Sequence, residues 1–186
     1  EGNFAIMCGD LYALSQSMFG LEVTGLLSAG ELYHKFWQDK DVKEVACFRA
    51  PMTSHNNVVK QKVSHSGDAS YWFKYIDNAV IINAWDTLCM SCNGADLDGD
   101  LLFTTNNKVL VENHRKLPPI NCIQKQSLKI IPTEQDIINS NKGGFGDKIG
   151  STTNLTTSQI SLQASFEPDS AEYKELEYRI LCGQQY

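Results

Sequence analysis

Short apolar runs separated by polar turns dominate the middle of the chain, and this pattern is typical of a β-rich core. The most apolar run, residues 79–83, predicts a buried strand because four consecutive positions are Ala, Val or Ile. Pro51 ends the run at 45–49, and Asn106-Asn107 predict a turn that leads into a hairpin partner. Strands are predicted at residues 45–49, 58–63, 79–83, 101–105, 109–111 and 128–131.

Helix-capping signals flank this β-rich region. Asp10 is placed to cap a first helix that Gly20 stops, and the Ser28-Ala29-Gly30-Glu31 stretch resembles a capping box. A glycine-rich stretch, 142–146, predicts a flexible linker. Helices are predicted at residues 10–20, 28–37, 69–76, from the cap at 133–136, at 152–165 and from the cap at 169–172.

Strands in the middle with helices around them predict a mainly β fold with added helices, an α+β arrangement built on a small β-barrel. We expect residues 1–140 to form the barrel domain with a helical insertion at about 10–40. Residues 141–186 are expected to form a C-terminal helical extension. Because the chain lacks an initiator Met and stops directly after a helix-like stretch, we expect it to be a piece of a longer polypeptide.

Composition narrows the classes of function. No apolar run approaches the roughly 20 residues that a membrane-spanning helix needs, so no membrane partner is predicted. The six cysteines lack the rhythm of a disulfide scaffold, which indicates free thiols and a cytoplasmic location. Cys89 and Cys92 have zinc-knuckle spacing, but the sequence has no second Cys or His pair that would complete a zinc site.

A net charge of −6 counts against a stand-alone nucleic-acid binder. We expect His34 and His65 on solvated faces.

Three carboxylates on alternate residues, Asp96, Asp98 and Asp100, are the main clue to function. An extended backbone would place all three on one side, where like charges repel unless a cation neutralises them. Gly99 can adopt backbone angles closed to other residues, so the segment can bend and bring the acids onto one ion. A hard, oxygen-seeking metal such as Mg²⁺, with Mn²⁺ as an alternative, suits these ligands.

Four interpretations compete for this acidic segment. An EF-hand fails, because counting from Asp96 puts Gly99 at loop position 4 and Asn107 at position 12. An Asp-x-Asp site for a nucleotide sugar would use two acids and leave the third unexplained. An acidic surface turn would explain Asp and Gly, which are common in turns, but not the strict alternation between two apolar strands. A metal-dependent phosphoryl-transfer site would use all three acids.

The segment Asp96-Leu97-Asp98-Gly99-Asp100 resembles the Asp-x-Asp-Gly-Asp signature of the two-barrel RNA polymerase superfamily. Upstream, Arg49-Ala50-Pro51 is similar to another segment of the same family, at a separation of about 45 residues. The segment 148–154 resembles a helix-opening stretch of the single-chain relatives. Bacteriophage-type enzymes and the eukaryotic RNA-dependent RNA polymerases of RNA silencing are the nearest in pattern.

This resemblance implies a double-psi β-barrel with flanking helical insertions, in which Asp96, Asp98 and Asp100 bind catalytic Mg²⁺. It implies that Arg49 reaches the incoming nucleotide. Asn93 takes the place of the family's Asn that senses the ribose 2′-hydroxyl, displaced here by Gly94. The implied partners are ribonucleoside triphosphates, a nucleic-acid template, the RNA product and a second β-barrel from the missing part of the chain or another subunit. The implied setting is a bacterial or phage-infected cell.

Two other classes of function remain open from the sequence. One is a non-catalytic barrel kept as a binding or assembly module. The other is a metal-dependent nucleotide-sugar transferase. Since no second barrel is recognised within the 186 residues, we expect these residues alone to fold but to synthesise no RNA.

Overall fold

The computed structural model describes residues 1–115, 117, 129–144 and 148–185. The chain divides into two compact units. The first comprises Glu1–Ala50 with His55–Ile120, and the second comprises Pro51–Ser54 with Asn121–Tyr186. The acidic segment and all six strands belong to the first unit.

Six strands and eight helices are formed by the described residues, together with a short 3₁₀ turn at His55–Asn57. The strands are β1 (Gly2–Gly9), β2 (Glu31–Tyr33), β3 (Glu44–Phe48), β4 (Val59–Val63), β5 (Ala79–Ile82) and β6 (Leu101–Thr105). The helices are α1 (Leu11–Met18), α2 (Lys35–Gln38), α3 (Gly67–Phe73), α4 (Leu88–Ser91), α5 (Lys108–Glu112), α6 (Glu134–Gly144), α7 (Lys148–Gln163) and α8 (Ala171–Gln185).

The strands close into a barrel in the order β1-β5-β2-β4-β3-β6. Two neighbouring pairs are parallel, β1 with β5 and β2 with β4, and the other four are antiparallel. Each of the six described strands therefore has a partner on both sides. The expected α+β fold with a barrel and added helices is therefore confirmed, and the mixed closed sheet is consistent with a double-psi barrel.

The barrel interior explains why the run at β5 is apolar at every position. Val80 and Ile82 face the main core, whereas Ile81 packs in a second cluster with Tyr33 and Phe73. Both faces of β5 are therefore buried, which removes the alternation seen in a half-exposed strand. The main core contains the buried residues Ala5, Met7, Leu32, Trp37, Val45, Cys47, Val63, Leu88, Cys92, Ala95 and Leu102.

Asp10 caps α1 as its sequence position predicts. Its Oδ1 accepts hydrogen bonds from the backbone N–H groups of Tyr12 and Ala13, at 2.9 and 3.1 Å. Its Oδ2 accepts from the N–H groups of Leu26 and Leu27, at 2.7 and 3.3 Å. One buried carboxylate thus both begins a helix and holds the following loop.

The helix predicted at 28–37 is wrong for most of its length. Glu31 does accept a hydrogen bond from the Ser28 N–H at 3.0 Å, as in a capping box. The chain nevertheless extends into β2, because Leu32 and Tyr33 are buried between β4 and β5. Only the short helix α2 follows. Barrel closure overrides the local signal.

The hairpin partner predicted at 109–111 is also wrong. Asn107 caps α5 through a 3.0 Å hydrogen bond from the Val109 N–H to its Oδ1. Residues 108–112 therefore form a helix, and the partners of β6 are β1 and β3.

Two further expectations concern the second unit. Of the strand predicted at 128–131, residues 129–131 are not in a strand, and Leu128 lies outside the described residues. Of the linker predicted at 142–146, residues 142–144 continue α6, and Phe145 and Gly146 lie outside the described residues.

The predicted caps of the second unit are confirmed. The Thr133 N–H donates to Asp136 Oδ2 at 2.9 Å, and the Asp136 N–H donates back to Thr133 Oγ1 at 3.3 Å. The Tyr173 N–H donates to Ser170 Oγ at 3.1 Å at the start of α8. Helices α7 and α8 pack against each other, with Leu176 and Ile180 buried.

Two predictions from composition can be compared with the described residues. Cys8, Cys47, Cys89, Cys92 and Cys182 form no disulfide with one another, and Cys122 lies outside the described residues. No helix in the described part of the chain combines the length and apolar character that crossing a bilayer requires.

His34 is buried rather than solvated, with 1% of its surface exposed, so the expectation for this residue is wrong. Burial lowers its pKa from 6.5 to about 4, because the charged imidazolium loses its hydration. His65 is exposed, as expected, and its Nε2 lies 2.9 Å from the Val42 carbonyl oxygen.

The buried imidazole predicts a loss of stability in acid. Below pH 6.5 the His34 imidazole binds a proton in the unfolded chain, whereas in the folded chain it is protonated only near pH 4 and below. The free energy of unfolding should therefore fall by about 3 kcal/mol over this interval. We expect His34→Gln to lose this part of the pH dependence in urea unfolding, and His65→Gln to retain it. Equal pH dependence in wild type and His34→Gln would contradict the prediction.

Candidate metal centre

The acidic segment lies on the loop that joins α4 to β6. The loop is fastened at its start, where the Ala95 N–H donates to the Cys89 carbonyl at 3.0 Å and the Ala95 side chain is buried. Asn93 and Gly94 both have positive φ, +59° and +63°, so the chain reverses direction just before the acids. The turn places Asp96 near the end of the barrel at which β6 begins.

The loop bends again at residues 97–99, where Gly99 has φ +128°. This is a conformation that residues with a Cβ rarely adopt. As a result Asp96, Asp98 and Asp100 each offer a carboxylate oxygen within 4.8 Å of the others. Asp96 and Asp98 are exposed, and Asp100 is partly buried. The predicted bend and gathering of the three acids are both present.

Asp100 is the fixed member of the three. Its carbonyl oxygen accepts from the Met7 N–H at 2.8 Å, which ties its backbone to β1. Its Oδ2 accepts from the Asp96 N–H at 3.0 Å, and its Oδ1 accepts from Arg49 Nη2 at 2.7 Å. The Asp96 N–H first, and the Arg49 guanidinium second, hold the pKa of Asp100 below its usual range.

Asp98 differs from Asp100 in the direction of its pKa shift, because the Asp96 and Asp98 carboxylates lie close together and both are exposed to solvent. A side-chain hydrogen bond with Asp96, and then the negative charge of Asp96, raise the pKa of Asp98. Two carboxylates that share a proton in this way repel each other when both are ionised. The pair therefore has an electrostatic reason to accept a cation.

The donor set fits a hard divalent cation. Mg²⁺ binds oxygen at 2.0–2.1 Å, so ligand oxygens on opposite sides of it lie roughly 4.2 Å apart. A separation of up to 4.8 Å is close to this, and the exposed Asp96 and Asp98 can move inward by a few tenths of an ångström. The larger Mn²⁺ would fit with less movement. Asp96, Asp98 and Asp100 are the residues that could hold the ion.

The two predicted substrate residues lie near the acids in different ways. Arg49 directly follows β3 and contacts Asp100, and 26% of its side chain is exposed. Asn93 is partly buried on the turn that precedes the acids. The structure thus brings Arg49 together with the triad and places Asn93 on the same loop.

Asp86 is a supporting residue that the sequence analysis missed. Its Oδ2 accepts from Gly30 N–H, Gln61 Nε2 and Asn83 Nδ2, at 3.0, 2.9 and 2.8 Å. Its Oδ1 accepts from the Leu88 N–H at 3.0 Å, which fixes the start of α4. The signal that could have found it is the Asn83-x-x-Asp86 spacing directly after a buried strand, which favours a side-chain-stabilised turn.

Comparison with known proteins gives matches among solved structures. No protein-family model matches the chain, and no curated protein matches it. Among solved structures it is similar to the RNA dependent RNA polymerase QDE-1 from Thielavia terrestris, with a TM-score of 0.49 and 13% sequence identity. The match covers 99% of this chain and 17% of that polymerase, so the chain spans less than a fifth of its length.

Gly99 offers a test of the loop geometry. A Cβ at this position would meet no atom within 4 Å, so Gly99→Ala introduces backbone strain without a clash. We expect a loss of about 1–2 kcal/mol in the free energy of unfolding, since φ +128° is costly for alanine. Gly67→Ala at the start of α3 is the matched control, because a Cβ there also meets open space and φ is not positive. Equal stability of the two variants would contradict this prediction.

Proposed function

We propose that this chain is the catalytic barrel of a nucleic-acid-templated RNA polymerase, which adds ribonucleoside triphosphates to an RNA 3′-end by Mg²⁺-dependent nucleotidyl transfer. The observation that carries the proposal is the gathering of Asp96, Asp98 and Asp100 within 4.8 Å on a bent loop of a closed barrel. The spacing of these acids is that of the Asp-x-Asp-Gly-Asp signature.

The chemistry requires anionic oxygens next to a reacting phosphate. A bound Mg²⁺ would make the attacking hydroxyl a better nucleophile and would neutralise the charge that develops on the leaving pyrophosphate. Asp100, fixed on both oxygens, supplies a rigid ligand, and Asp96 and Asp98 supply exposed ones that a nucleotide can approach. Preorganised ligands of this kind stabilise the transition state without moving during the reaction.

Arg49 and Asn93 are proposed to hold the substrate. Arg49 is partly exposed beside the acids, where its guanidinium can form charge-assisted hydrogen bonds to phosphate or ribose oxygens. Asn93, on the turn before the acids, would contact the ribose 2′-hydroxyl. Both roles need side chains at the edge of the metal site rather than within it.

The remaining partners would come from outside this chain. A net charge of −6 disfavours binding of an anionic template by this chain alone, so a second barrel from the rest of the polypeptide or another subunit would supply the basic surface. The isolated 186 residues are accordingly expected to synthesise no RNA. Nucleotide incorporation by these residues alone would contradict this part of the proposal.

Metal binding by an Asp98→Asn variant tests the site. We expect the wild-type chain to bind Mn²⁺ weakly, with affinity reduced at least tenfold in Asp98→Asn, because one anionic ligand is lost. Asp68→Asn is the control, since Asp68 is an exposed acid in the first turn of α3. The measurement is free Mn²⁺ by electron paramagnetic resonance.

Three outcomes separate the candidate functions. Loss of binding in Asp98→Asn but not in Asp68→Asn supports the catalytic site. Equal affinities in all three proteins would favour a non-catalytic module with a plain acidic turn. Saturable binding of a nucleotide sugar, with Mn²⁺ preferred, would favour the transferase instead.

A further inference from the structure

We infer that Arg49 is a positioning residue that serves as the resident counter-cation of Asp100, and that a divalent cation entering the triad must displace or share it. The guanidinium released in this exchange then becomes available to the substrate. This inference rests on the proposed metal-dependent function and adds an order of events to it.

The Arg49–Asp100 ion pair differs from the others formed by the described residues. Its side chains are 26% and 17% exposed, whereas every other ion pair among those residues has both side chains at least 35% exposed. Water screens a partly buried pair less than an exposed one, so this contact contributes more to the local charge balance.

The pair also joins two neighbouring strands at the point where the acidic loop ends and β6 begins. Arg49 follows the last residue of β3, and Asp100 precedes the first residue of β6. These strands are antiparallel neighbours in which Phe48 lies opposite Phe103. Since the Asp100 backbone is already tied to Met7, the guanidinium acts mainly on where the carboxylate points.

Competition for Asp100 follows from the two contacts of its carboxylate. Oδ1 accepts from Arg49 and Oδ2 accepts from the Asp96 N–H, so neither oxygen is without a donor. A divalent cation that binds Asp100 must therefore take a lone pair next to a positive guanidinium, which repels it. Entry of the cation weakens the ion pair, and the ion pair in turn lowers the affinity for the cation.

A simpler interpretation is that Arg49 only ties β3 to β6. In that case its removal would destabilise the fold and would leave cation affinity unchanged or reduced through loss of order. The direction of the change in affinity therefore distinguishes a resident counter-cation from a plain structural tie.

The experiment compares Arg49→Gln, Arg49→Lys and Lys60→Gln by Mn²⁺ binding and by urea unfolding without metal. Lys60 pairs with Glu44 at 3.0 Å between β4 and β3, so Lys60→Gln removes a cross-strand ion pair away from the triad. We expect Arg49→Gln to bind Mn²⁺ about tenfold more tightly, because a repelling charge a few ångströms away is removed. Arg49→Lys and Lys60→Gln should stay within about twofold of wild type.

Arg49→Gln should also lower the midpoint of urea unfolding in the absence of metal, and added Mn²⁺ should restore more of it than in wild type. A double-mutant cycle with Asp100→Asn, measured without metal, reports the coupling of the pair independently of any cation. Additive effects in that cycle would overturn the inference.

Unchanged or weaker Mn²⁺ binding by a folded Arg49→Gln variant would overturn this inference and leave the proposed function standing. Absence of Mn²⁺ binding by the wild-type chain would overturn both. The two failures are distinguishable, because only the second removes the difference between wild type and Asp98→Asn.

Discussion

Mutual repulsion among three carboxylates is the constraint that shapes this site. Left unopposed, Asp96, Asp98 and Asp100 would move apart, since like charges within a few ångströms are costly at a protein surface. The chain opposes the repulsion with two donors to Asp100, the Arg49 guanidinium and the Asp96 N–H. One carboxylate oxygen of each acid lies within 4.8 Å of the others.

The closed barrel fixes both ends of the acidic loop. The Asp100 backbone is bonded to β1, Arg49 extends β3, and Asp86 fixes the helix that opens the loop. The supports come from three different segments of the chain, and they hold the loop at its start and at its end. Strand β5 is buried on both faces and ends shortly before Asp86, so it anchors the segment that carries Asp86.

The sequence predicted the features that depend on local chemistry. The strands at 79–83 and 101–105, the cap at Asp10 and the bend at Gly99 could all be derived from residue type and spacing. These features need no knowledge of which strand pairs with which. The same is true of the alternating acids.

The features that depend on topology could not be derived in this way. Leu32 and Tyr33 pair with β4 and β5, which lie much later in the chain, so the capping box at residues 28–31 did not lead into the predicted helix. Arg49 and Asp100 are 51 residues apart, and only the pairing of β3 with β6 brings them into contact. His34 is buried by the packing around the barrel, which its polar side chain does not reveal. The pairing of β1 with β5 and β6 has its own consequence for biosynthesis. A ribosome that adds 5–20 residues per second needs on the order of 5–20 s to make the partners of β1, so this strand emerges long before it can pair and is exposed to misfolding until then.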